Sequence, residues 1–155
     1  MDIVSHAAWG MTIIRKRPEL WWAALFGALP DVILAVYGVY RYGWAYFRDT
    51  TDQKFGKKAH GPFVKVYYFT HSLVPITFVA LLLLMVEPHY AIVTIPYYVH
   101  VLLDSFVHGG IWAARLLYPI SAAHFNGSDW WKNKWISVGN WSALVLVNIV
   151  ILYFS

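Results

Sequence analysis

The stretch LWWAALFGALPDVILAVYGVY, residues 20–40, decides the fold. It is 21 residues long and carries one charge, Asp31. As a helix rising 1.5 Å per residue it reaches about 31 Å, enough to cross a hydrocarbon core of about 30 Å. Two further runs have the same character. Residues 63–86 have Lys65 near the start and His71 inside, and residues 138–154 have no charge at all. A fourth run, residues 90–107, carries His100 and Asp104. The rest of the composition agrees. Of 155 residues, 59% are hydrophobic and 13% charged, about half the charge that a soluble domain uses. Mean hydropathy is +0.50. None of the runs shows the two-residue alternation of barrel strands, so helices must satisfy the backbone in lipid. The expected architecture is all-α, a polytopic membrane helix bundle with about four membrane helices plus short interfacial helices. Residues 1–155 read as a single domain of an integral membrane protein.

The absence of Cys excludes a disulfide framework, thiolate zinc sites and thiol catalysis. Residues 1–14 are too short to span and lack the cationic start and cleavage site of a signal peptide. They read as a short helix lying on the bundle or re-entering it. Two polar connections divide the chain. Residues 41–60 hold Arg41, Arg48, Lys54, Lys57 and Lys58, with Asp49 and Asp52. Residues 124–134 hold Asn126-Gly127-Ser128 and Asp129-Trp130-Trp131-Lys132, where Trp beside Lys reads as an aromatic belt at headgroup level. The positive-inside rule puts both basic loops inside and the turn Glu87-Pro88-His89 outside. Arg15-Lys16-Arg17 then falls outside if residues 20–40 span once, so these cations serve something other than topology, or that helix does not fully cross.

Ionisable residues within membrane segments are costly and point to function. In HVLLDSFVH, residues 100–108, His100, Asp104 and His108 stand at i, i+4 and i+8. A helix continuing to Gly109 would align imidazole, carboxylate and imidazole on one face. Asp31 follows Pro30, which kinks a helix and can turn a carboxylate into a cavity. His71 lies in Thr70-His71-Ser72, and His6 sits on the short first helix. Taken singly, each reads as a satisfied core group, and His100 with Asp104 as a hydrogen bond locking two helices. Together, four apolar segments each offer a metal-capable side chain, and a shared divalent metal site becomes the better reading. His60, His89 and His124 read as loop or turn residues. Arg15-Lys16-Arg17 reads as an interfacial basic cluster, or as a phosphate clamp beside the metal in which Arg15 and Arg17 contact substrate.

In order along the chain, His6, Leu29-Pro30-Asp31, Thr70-His71-Ser72, His100-Val101-Leu102-Leu103-Asp104 and Leu117-Tyr118-Pro119-Ile120-Ser121 form a recognisable series. It resembles a bacterial and archaeal family of small integral-membrane proteins classed as membrane-bound, metal-dependent hydrolases. That family is in turn similar to zinc-dependent phospholipases C and related nucleases. The resemblance covers residues 6 to about 121. Tyr68-Phe69 stands where the family often has a pair such as Arg-Gly, and Val107 where it often has Thr. The resemblance implies a prokaryotic inner-membrane location, and a role for Asp31 as the base acting on water.

Imidazole and carboxylate without thiolate suit Zn²⁺, with Mn²⁺ or Fe²⁺ as alternatives. His71, His100 and Asp104 are the leading ligands, His6 and His108 the next, and Asp31 either ligand or base. Six donors exceed what one ion needs, so two ions share the site or some donors act from behind it. The expected reaction is hydrolysis of a phosphoester in a membrane lipid or lipid-linked substrate by metal-activated water, with carboxyl esters and amides remaining open. There is no Gly-rich phosphate loop, and the basic residues are too dispersed to read as a nucleic-acid surface. The alternatives are a small divalent-cation or proton carrier and a non-enzymatic bundle. A carrier needs a polar path from both faces, and residues 77–86 and 138–154 offer no second polar row. Residues 138–154 are expected to contribute no site residue and to serve as a lipid-facing anchor.

Overall fold

Asp2 opens the first helix, α1 (Ile3–Ile13), its carboxylate accepting a 2.8 Å hydrogen bond from the Ser5 amide. The computed structural model describes residues 2–49 and 61–154, and among these there is no strand. Lys54, Lys57, Lys58, Asp52 and His60, read above as loop residues, lie outside the described residues.

The second helix, α2 (Leu20–Tyr42), runs antiparallel to α1 and touches it at two glycines. A Cβ on Gly10 would lie 2.3 Å from the Ala23 carbonyl oxygen, and one on Gly27 would lie 2.6 Å from that of His6. Pro96 closes on both positions from a third side, at 3.2 and 3.5 Å. Small residues thus let the two backbones meet closely, the kind of packing that holds apolar helices together. The first helix packs into the bundle by this contact. A short helix, α3 (Ala45–Asp49), follows α2 and lays the Tyr46 ring on Gly38.

Residues 63–86, expected as one span, form two helices, α4 (Pro62–Thr70) and α5 (Leu73–Val86), bent by 49° at His71-Ser72. Ser72 takes extended backbone and caps α5 by accepting from the Val74 amide. Its hydroxyl also lies 3.1 Å from the Leu116 carbonyl and 2.6 Å from that of Tyr118, and the Leu73 amide donates to Leu116 at 2.9 Å. The loop around the cis Tyr118–Pro119 bond therefore satisfies the backbone that the break exposes.

A 3₁₀ segment (Pro88–Thr94) leads into α6 (Ile95–Val107). The expected continuation to Gly109 does not occur, and His108 is extended. The carbonyls of Phe106 and His108 accept instead from the amides of Ser128 and Gly127, and Asp129 accepts from the Gly109 amide. Gly127 has to be glycine here, since a Cβ would lie 2.3 Å from Phe106 backbone atoms. The last helix, α7 (Lys134–Tyr153), is capped by Asn133. It docks on α1 where Asn140 accepts from the Trp9 indole and Asn148 donates to Thr12, each at 2.9 Å. Val145, Leu146, Ile149 and Leu152 remain exposed on it, a surface suited to lipid.

Three helical stretches, Leu20–Tyr42, Pro88–Val107 and Lys134–Tyr153, are long and apolar enough to cross a membrane. The bent pair α4–α5 makes a fourth if it acts as one span. The fold is an all-α helical bundle.

Candidate metal centre

Ligand atoms of Asp31, His71, His100 and Asp104 all lie within 4.8 Å of one another. They arrive from three directions. Asp31 follows the proline in the middle of α2, where Pro30 leaves the Phe26 carbonyl without its helical donor. His71 is the C-cap residue of α4, turned inward by the break described above. His100 and Asp104 sit one turn apart on the buried face of α6.

Both imidazoles are oriented by backbone carbonyls. His100 donates from Nδ1 to the Gly27 carbonyl at 2.7 Å, and His71 donates from Nδ1 to that of Tyr67 at 3.1 Å. Each directs Nε2 at the carboxylates, and a backbone partner on the other ring nitrogen is how metal-binding histidines are usually oriented. His71 Nε2 lies 3.4 Å from Asp31 Oδ1 and 3.6 Å from Asp104 Oδ2. His100 Nε2 lies 3.3 Å from Asp104 Oδ2 and 4.0 Å from Asp31 Oδ1. Donors about 2.0–2.2 Å from a tetrahedral centre stand about 3.3–3.6 Å apart, so the spacing is close to that of a zinc-type site. His100 Nε2 is buried and makes no hydrogen bond, which fits a group whose partner is an ion. The four residues form a group that could hold a metal ion.

His6 and His108 lie against Asp104, beside the four-atom group. His6 Nε2 is 3.1 Å from Asp104 Oδ1, and its ring stacks on His100 with centroids 3.6 Å apart. The backbone at His108 swings its ring out of the helical line expected for it. Its Nδ1 donates to the Asp104 carbonyl at 3.2 Å and lies 3.6 Å from Asp104 Oδ2. Burial, with His100 alongside, lowers the pKa of His6, and burial pushes His108 down to about 4. Both rings are therefore neutral near pH 7, the form that binds metal or donates a single hydrogen bond.

The side chain of Asp31 is 24% exposed against 1% for Asp104 and His71, so the group opens on the Asp31 side. Aromatic residues gather around this region. Tyr67 stacks on His71 and donates to the Trp112 carbonyl, and Trp131 lies 5.6 Å from His108. Burial and the nearby charge of Asp31 push the Tyr46 hydroxyl up to about 12, so it stays protonated.

Arg15 and Arg17 are placed elsewhere. They line a groove with Ile92 and Ile151 past the C-terminal end of α1, and none of the six His and Asp residues takes part in it. Their distance from the cluster follows from α2, in which Leu20 and Asp31 are separated by about 16 Å of helix. His89 pairs with Glu87 on the surface, and His124 is exposed. Residues 138–154 contribute none of the clustered side chains.

Sequence reading missed Gly27, whose carbonyl orients His100 and whose missing side chain admits α1. Its signal was a pair of glycines, Gly10 and Gly27, on apolar helices adjacent in the chain. The site and fold together define a membrane-type helical bundle with a buried His/Asp group able to hold a metal. No protein-family model, curated protein or solved structure matches the chain.

Proposed function

We propose that the protein is a membrane-bound, metal-dependent hydrolase acting on a phosphoester of a lipid or lipid-linked substrate. The carrying observation is the four-donor group of Asp31, His71, His100 and Asp104, with imidazole–carboxylate separations of 3.3–4.0 Å. The resemblance of five ordered motifs to membrane-bound hydrolases supports the same reading. A divalent ion, Zn²⁺ first by ligand type, would be held by His71, His100 and Asp104 beside Asp31, and would supply Lewis acidity and a lowered pKa for water.

The residues divide the remaining work by position. Asp31, at the open side, accepts the proton of the attacking water. His71 and His100 present their Nε2 atoms to the carboxylates, held there by the carbonyls of Tyr67 and Gly27. His6 donates to Asp104 Oδ1 and orients that carboxylate from behind. The aromatic residues near the opening suit an amphiphile whose chains stay in lipid.

A carrier would need a second entrance. The contact of Gly10, Gly27 and Pro96 closes the bundle between the cluster and the far end of α1, which favours hydrolysis over transport.

The test is metal analysis of detergent-purified protein, wild type beside His100→Ala. It is paired with phosphate and headgroup release from mixed lipid extracts, with and without chelator. Stoichiometric metal lost in the variant, with release abolished by chelator, is the expected result. Release that ignores the chelator overturns the proposal.

A further inference from the structure

The basic triplet Arg15-Lys16-Arg17 is not used by the metal centre, and its surroundings are specific. The groove beside it measures about 330 Å³ and is lined by Thr12, Arg15, Lys16 and Arg17 with Ile92 and Ile151. Three elements build it: the C-terminal end of α1 and its following turn, the 3₁₀ segment before α6, and the last turns of α7. Arg15 is half-buried, and its Nη1 is enclosed with no hydrogen-bond partner. A guanidinium nitrogen in that state favours an anion. Glu19, buried next to the triplet, offsets one of the three charges and leaves an excess of two.

The position matters as much as the charge. Arg41, at the end of α2, and Lys134, at the start of α7, lie at the opposite end of the bundle. The positive-inside bias assigns that end to the cytoplasm, so the triplet is not there to set topology. Trp21 and Trp22 are exposed in the first turn of α2, where an aromatic belt belongs. The groove thus joins three cations to an isoleucine wall.

We infer that the Arg15–Arg17 groove binds the phosphate of one anionic phospholipid headgroup, with its acyl chains along Ile92 and Ile151. This lipid sits apart from the reacting substrate, because the groove contains no metal-centre residue. It ties the turn between α1 and α2 to α7, and so holds the hairpin that carries His6 and Asp31.

The full-length protein in detergent is titrated with phosphatidylglycerol or phosphatidylcholine, and bound lipid is counted by native mass spectrometry. Wild type is expected to retain one phosphatidylglycerol about thirtyfold more tightly than phosphatidylcholine, about fivefold for each of two arginines. An interfacial cation contributes about fivefold, so Arg15→Gln with Arg17→Gln should reduce that preference by about thirtyfold. Arg15→Lys with Arg17→Lys should keep most of it, and Arg41→Gln with Lys134→Gln at the other end should leave it unchanged. Metal content should be the same in all of them, which keeps this test separate from that of the hydrolase. Equal retention of the two lipids by wild type overturns the inference. So does equal loss in the Arg41/Lys134 pair, loss in the lysine pair, or displacement by millimolar inorganic phosphate, which would mark a free-anion site.

Discussion

The Gly27 carbonyl accepts a 2.7 Å hydrogen bond from Nδ1 of His100, and the Gly27 Cα faces the His6 carbonyl with no room for a methyl group. One residue thereby sets the tautomer of a candidate ligand and the seating of the helix that carries His6. A Cβ at 2.6 Å from a backbone oxygen cannot be relieved by a rotamer change, so α1 must move. Gly27→Val should cost about 1–3 kcal/mol of stability and weaken metal binding. Thermal melts and metal titrations of the purified variant measure both, and a variant with wild-type affinity would show that α1 seating is irrelevant to the site.

Asp31 is the most exposed of the four clustered donors and the one assigned to water. Asp31→Asn should keep most of the bound metal while hydrolysis falls by about two to four decades, the usual cost of losing a general base. Metal content and release rates on one preparation separate the roles. Metal loss in this variant would make Asp31 a ligand and move the base elsewhere.

Chelation should destabilise the protein as well as silence it. The four donors come from α2, α4 and α6, so an ion that binds only the folded arrangement links three helices. At about 1,000 times its dissociation constant such a ligand adds about 4 kcal/mol. The melting temperature should fall in chelator and recover on adding Zn²⁺. An unchanged melting curve at full metal removal contradicts this coupling.

Ser72 holds the break between α4 and α5 to the carbonyls of Leu116 and Tyr118. Ser72→Ala removes a cap and leaves buried carbonyls short of a donor, at a cost of about 1–3 kcal/mol. Activity should drop with it, since His71 is the neighbouring residue. Ser72→Thr, which keeps the hydroxyl, should recover more of both than Ser72→Ala in melts and release assays.

Asn148 docks α7 on α1 far from the clustered donors. Asn148→Leu should leave metal content within error of wild type and change hydrolysis by less than about twofold. Loss of metal in this variant would place α7 in the site after all.

The helices were legible because hydropathy over about 20 residues is a strong signal. Residues 20–40 lie within α2, which runs two residues further, and residues 138–154 match α7 except that it starts four residues earlier and ends at Tyr153. The clustering of His6, Asp31, His71, His100 and Asp104 was legible through desolvation cost, since each is an ionisable group in an apolar run. The break at His71-Ser72 was not, because the apolar run continues through it and its partners are carbonyls more than forty residues away. The end of α6 was hidden for the same reason, as the amides of Gly127 and Ser128 terminate it from another segment. The separation of Arg15 and Arg17 from the cluster depends on the direction in which α1 runs, which local pattern does not specify.

The chain order of the donors has a consequence for biogenesis. His6 and Asp31 are synthesised first, and α1 with α2 can form a hairpin before His71, His100 and Asp104 leave the ribosome. During that interval the Asp31 carboxyl stands in the middle of a 23-residue apolar helix without the imidazoles that later surround it. Insertion of α2 therefore runs against the cost of a bare carboxyl at bilayer depth until α4 and α6 arrive. The imidazoles of His71 and His100, supplied later in the chain, are thus also what settle the Asp31 carboxyl within α2.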